Sequence, residues 1–207
     1  MNTQKTWDNF VAAIKADIPG FEFRYKTEST LFKLLQKVFW FVNQASYTTT
    51  VFPYIYWATK ESEEAMHLST LEHEWVHLKD CRTFFGQLPG ALWPLNLLMF
   101  MFLYAFPQIL GVLAALAIVA AFTHNPWWLL WLLALVFCAP WPSPTRAWIE
   151  VRAYRRSIEL GRTVERAAAP FFTAGYYWMW PFKAHTEKWL EGGTSPYKEE
   201  MDDLHVD

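Results

Sequence analysis

Residues 73 to 77 read His73-Glu74-Trp75-Val76-His77. On a helix, residues four apart lie on one face, so His73 and His77 point two imidazoles at one place. Glu74 follows the first of them, within reach of a water held there. Two neutral imidazoles suit Zn²⁺, and a catalytic zinc site takes three protein ligands with a fourth position for water. Such an ion brings the pKa of the water toward ~7 and lets a neighbouring carboxylate act as general base. The preceding Ser69-Thr70-Leu71-Glu72 reads as a helix start. Leu71, Trp75 and Leu78 fall on a different face from the histidines and should bury. Asp80, three residues past His77, is either an orienting partner for an imidazole N–H or a solvated helix-end residue.

The third ligand lies far downstream, in Arg146-Ala147-Trp148-Ile149-Glu150-Val151-Arg152-Ala153-Tyr154. This segment is expected to be a helix starting after Pro142-Ser143-Pro144. Glu150 shares a face with Ala147, Ala153, Tyr154 and Ile158, while Arg152, Arg155, Arg156 and Glu159 populate the other side. A carboxylate on the small, apolar face of a helix is expensive unless paired or metal-bound. The competing reading is an ion pair of Glu150 with Arg146, four residues back. Cys81 is a weaker candidate ligand.

An H-E-x-x-H helix with a glutamate on a later helix resembles the gluzincin branch of the zinc metallopeptidases. Glu150-Val151-Arg152-Ala153-Tyr154 is similar to the E-x-x-A-D/Y stretch of HtpX-type membrane proteases, with Tyr154 standing where those proteins carry an aspartate. The resemblance covers about Tyr47 to Leu160. It implies zinc held by His73, His77 and Glu150, with Glu74 as the catalytic glutamate and a peptide or protein as substrate. Peptidases of this kind need a donor for the oxyanion. Tyr154, four residues past Glu150, is the favoured candidate, with Tyr177 and His185 as alternatives. His67 and His124 are not expected to be ligands.

Between the two ligand segments, Thr83 to Thr145 contains no Asp, Glu, Lys or Arg. A bilayer-spanning helix takes about 20 apolar residues. Leu95 to Ala121 is long enough, with Pro107 and Gly111 as points where it could kink. Trp127 to Ala139 is a second, shorter run, and Thr123-His124-Asn125-Pro126 is the turn between them. Because His77 and Glu150 must meet, both ends of this insert (92–141) lie on one side. That requires two spans or a re-entrant hairpin. Lys79, Arg82, Arg146, Arg152, Arg155 and Arg156 flank the open ends and the connecting turn has no Lys or Arg, which puts the zinc site on the cytoplasmic side of a membrane. A soluble protein with a buried apolar hairpin is the alternative.

The 207 residues have room for one domain, expected to be mainly α with a small β element and zincin-like metal-site helices. The formal net charge of −2 gives no case for nucleic acid, and two cysteines make no disulfide framework. The first stretch is polar, without the apolar core of a signal peptide. Thr6–Ala16 and Ser29–Phe41 read as helices, and Tyr47–Phe52 and Tyr54–Trp57 as strands. Tyr54–Ala58 is the candidate edge strand for an added substrate strand. The aromatic stretch 167–182 is expected to pack on the zinc helices or lie at the membrane interface. The acidic tail, 192–207, is expected to be flexible. Two rival readings stay open: a non-catalytic zinc-binding protein within a virion or membrane complex, and a soluble structural protein that buries its hairpin in a homo-oligomer or larger assembly.

Overall fold

The computed structural model describes residues 3–38, 47–60, 68–138, 141–173 and 179–205. Helix α1 (Thr3–Asp17) leads into strand β1 (Glu22–Tyr25), helix α2 (Thr30–Val38) and a hairpin of β2 (Thr49–Val51) and β3 (Tyr54–Trp57). The sheet order is β1-β3-β2, with β1 parallel and β2 antiparallel to β3. The chain is thus mainly helical with a three-stranded sheet. β3 lies at the centre, which corrects the expectation that Tyr54–Ala58 is an edge. Its residues Ile55, Tyr56 and Trp57 are all buried, so both faces of this strand are covered. β1 was not anticipated. Glu22-Phe23-Arg24-Tyr25 alternates polar and apolar, but over four residues only. The expected second helix is present to Val38; its last residues fall outside the described ones.

Helix α3 (Leu68–Thr83) carries the histidine pair and runs through the middle of the molecule. Every residue from Leu71 to Cys81 is buried. Leu71, Trp75 and Leu78 join Phe10 and Ile14 of α1, Ile18 just past its end, and Ile55 and Trp57 of β3 in one core. Phe10 meets Trp75 edge to face, with ring centroids 5.5 Å apart. A helix buried all round is normally apolar. This one carries Glu72, Lys79 and Asp80 inside because each has a partner of opposite charge.

The apolar arm follows. Helix α4 (Trp93–Tyr104) ends where Pro107 removes a backbone donor and its ring crowds the preceding turn. The chain bends by 91° there into a 3₁₀ segment, Gln108–Ile118, continued by the short α5 (Val119–Thr123). It reverses at His124, which is left-handed (φ 53°). A second 3₁₀ segment, Pro126–Cys138, returns against the first. The first apolar run is therefore broken rather than continuous. Among the described residues no single helix is long and apolar enough to cross a membrane; the bent pair Gly90–Tyr104 and Gln108–Ile118 meets the requirement together. The arm's large side chains face outward: Leu98, Phe122, Trp127 and Leu133 are each about 70–80 % exposed.

Helix α6 (Pro144–Glu159) starts as expected, with the Ser143 hydroxyl accepting from the Arg146 backbone N–H. It packs on α3 and, through Ala147, Val151 and Tyr154, on a second cluster containing Phe171, Met179 and Leu190. These come from α7 (Val164–Ala168), the 3₁₀ turn that follows it (Ala169–Phe172), the segment before α8, and α8 itself (Lys183–Glu191). The described part of the aromatic stretch therefore packs on the Glu150 helix. The tail is not loose where it is described. Its helix α9 (Lys198–Asp202) buries Met201, Tyr197 donates to Asp80, and Asp202 pairs with Arg156. Two of the tail's acids, Glu200 and Asp202, pair with the buried Lys79 and Arg156, and that holds it down.

Candidate metal centre

α3 and α6 bring the predicted ligands together. His73 Nε2 and His77 Nε2 each stand 3.6 Å from the same oxygen of Glu150, Oε2. All three ligand atoms lie within 4.8 Å of one another, and all three residues are buried. Ligands at about 2.1 Å in a tetrahedron around zinc are separated by roughly 3.4 Å, so the nitrogen–oxygen spacings fit one ion of that size. The donor set of two imidazoles and a carboxylate could hold a metal ion, and it suits zinc among others.

Electrostatics inside the cluster point the same way. Burial alone would raise the Glu150 pKa, but the two histidines outweigh it and hold the carboxyl well below the usual range. Burial would likewise lower the His77 pKa; Glu150, with smaller contributions from Glu74 and Asp80, raises it instead. Metal binding takes the imidazoles neutral and the carboxylate ionised, so an ion here would displace the proton that Glu150 and the histidines otherwise share.

The neighbours of the ligands were only partly foreseen. Glu150 does not pair with Arg146 through its carboxylate. Its second oxygen, Oε1, accepts the hydroxyl of Tyr104 at 2.7 Å. That donor comes from the last turn of α4, which Thr145 ties to α6 by donating to the Leu103 carbonyl at 2.7 Å. Glu74 Oε2 accepts the Thr50 hydroxyl at 2.6 Å, so β2 fixes the candidate general base. Tyr154 sits edge to face on His73, with ring centroids 4.5 Å apart. Lys26, buried, donates to the Tyr47 carbonyl; burial pushes its pKa down to about 8, an effect that Glu74 partly offsets.

Asp80 takes neither expected role. It is fully buried, and it accepts Arg152 through two bonds (2.8 and 3.0 Å) and the Tyr197 hydroxyl at 2.8 Å. No described group bonds to His77 Nδ1. About two turns before Asp80, Glu72 pairs with Arg156, both essentially unexposed, and with His205 at 3.1 Å. These two ion pairs bracket the ligands and pin α3 against α6. The arginines expected on an outer face therefore point inward. Removing one partner from such a buried pair costs about 3–5 kcal/mol in general, so they set the register between the histidines and Glu150.

Cys81 is buried but outside the ligand group. Burial, reinforced by Asp80, raises its thiol pKa well above the ordinary value, so it is not a reactive thiolate. His185 accepts the Trp180 indole N–H and stacks on Trp189 rather than on the ligands. His124 is exposed at the tip of the arm. Tyr177 and His67 lie outside the described residues.

Beside the ligands opens a cavity of about 210 Å³, lined by His73, Glu74 and Tyr154 and by residues of β2's approach, α3's first turn and the end of α6. Comparison of the chain with protein-family models, with curated proteins and with solved structures finds no match. The reading of this centre therefore rests on its own residues.

Proposed function

We propose that the protein is a membrane-anchored zinc metallopeptidase of zincin type. The observation that carries this reading is the position of Glu74. It is a carboxylate held by Thr50, one residue from a buried His-His-Glu cation site, on the wall of a cavity that also exposes His73. A purely structural zinc site is normally closed by four protein ligands, whereas three ligands beside a carboxylate and a cavity suit catalysis.

Zinc bound there would supply Lewis-acid polarisation of a substrate carbonyl and make a water more acidic. His73, His77 and Glu150 hold the ion. Glu74 takes the proton from the attacking water on the oxygen that Thr50 does not engage, then delivers it to the leaving amine. The Tyr154 hydroxyl is the candidate donor to the carbonyl oxygen as negative charge develops on it.

The apolar arm supports the membrane part of the proposal. The bent pair Gly90–Tyr104 and Gln108–Ile118 together has the length and composition to cross a bilayer, and Pro126–Cys138 is a shorter apolar return. Their outward-facing Leu, Phe and Trp side chains suit lipid. Basic residues cluster at the two open ends and are absent from the turn at 123–126, which favours a cytoplasmic metal site.

A second reading, a zinc-stapled structural component of a virion or membrane complex, is favoured by the buried ion pairs that brace the ligand helices. Glu74→Gln separates the two. The peptidase reading expects zinc to stay bound and peptide hydrolysis to vanish. Zinc in the unaltered protein without hydrolysis of any peptide would support the structural reading.

A further inference from the structure

The cavity beside Glu74 has one cationic wall. Arg162 stands just past the end of α6, where Gly161 adopts φ +95° and turns the chain back. Its guanidinium lies 5.4 Å over the ring of Tyr154, and Tyr154 in turn packs on His73. One aromatic ring therefore separates this charge from a metal ligand. The nearby Arg152 and Arg156 are each neutralised by carboxylates, Asp80 for the first and Glu72, Glu159 and Asp202 for the second. Arg162 is treated differently. It is exposed to solvent; among the described residues its one hydrogen bond is to the Arg166 carbonyl at 3.3 Å, and no carboxylate pairs with it. The hydroxyl-bearing Thr48, Ser69, Thr70 and Ser157 line the same cavity.

The hydroxyls and the Arg162 guanidinium offer partners to an anion, while Glu74, the one carboxylate of this lining, is the group the proposed chemistry uses. The cavity's size, below the ~300–1,000 Å³ of typical ligand pockets, admits a short side chain or a chain terminus rather than a long segment. We propose that this pocket binds a carboxylate of the substrate through Arg162, so that the protein acts on peptides with a carboxylate beside the scissile bond. That carboxylate is either a free C-terminus or an acidic side chain. The proposal rests on the zinc-hydrolase reading above and names its substrate class.

The test compares two metal-binding probes on the zinc-loaded protein by calorimetry. Acetohydroxamic acid carries no carboxylate; succinic monohydroxamic acid carries one. The carboxylate probe should bind about tenfold more tightly, and Arg162→Gln should bring the ratio of the two affinities to about one. Equal affinities in the unaltered protein, or a preference that survives Arg162→Gln, would overturn the proposal while leaving the zinc reading intact. Binding of neither probe would show a zinc closed to outside ligands, against the hydrolase reading and this one with it. Paired peptides then separate the sources: faster cleavage of a free-acid peptide than of its C-terminal amide points to a terminus, and of an internal Glu than of Gln to a side chain. No preference in either pair contradicts the assignment.

Discussion

The hydroxyl of Tyr104 donates to Glu150 Oε1 at 2.7 Å, while Glu150 Oε2 faces both histidines. The last turn of α4, before the bend into the apolar arm, thus orients the third ligand. Groups that hold metal ligands from behind typically contribute 10–100-fold in metal affinity. Tyr104→Phe keeps the stack on Phe100 and removes only the hydroxyl. Zinc affinity measured against a competing chelator should fall by about 10–100-fold. Unchanged affinity would show that Glu150 needs no help from the arm.

Thr50 plays the corresponding part for Glu74, at 2.6 Å. Thr50→Val preserves shape and frees the carboxylate to rotate. Because the base and not the ligand set is affected, kcat should fall roughly 10–100-fold with zinc content unchanged. A drop confined to KM, or loss of zinc, would contradict that division of labour.

Lys26 makes stability depend on pH. Its pKa is depressed from an ordinary 10.5 to about 8, first by burial, against a smaller opposing pull from Glu74. The unfolded chain then binds more protons between about pH 8 and pH 10.5, so this residue's contribution to stability rises across that window. It is fully present above the unfolded value and lost as pH falls through the folded one. The shift corresponds to roughly 3 kcal/mol at most. Denaturation of the protein and of Lys26→Met at pH 7.5 to 10 should show the unaltered protein gaining relative to the variant as pH rises. Parallel curves would refute the assignment.

The arm predicts behaviour in extraction. Membranes from expressing cells, washed with alkaline carbonate, should keep the protein until detergent is added, and deletion of 105–141 with a short linker should release it. Recovery of the full chain in the carbonate wash would favour an apolar hairpin buried in an assembly.

The candidate ligands were legible in the sequence because their signal is local. Two histidines four apart, and a glutamate on a face of alanines, need only helix geometry to be read. Their supports were not, because they come from elsewhere in the chain. Tyr104 is 46 residues from Glu150, and Thr50 is 24 from Glu74. A clue existed for Tyr104, the one hydroxyl-bearing residue between Leu92 and Phe122. β3 was recognisable as a strand, but its central place depends on β1, whose four residues lie some thirty positions earlier. The partners of Asp80 and of the acidic tail, Lys79, Arg152 and Arg156, meet them only once α3, α6 and α9 pack together.

The central claim is the three-ligand zinc site, and metal content tests it most directly. The protein, purified without chelator from zinc-replete cells, would be assayed by mass spectrometry beside Glu150→Ala. The account predicts about one zinc per chain, lost or much reduced in the variant. No zinc in the unaltered protein, or full occupancy without Glu150, would contradict it.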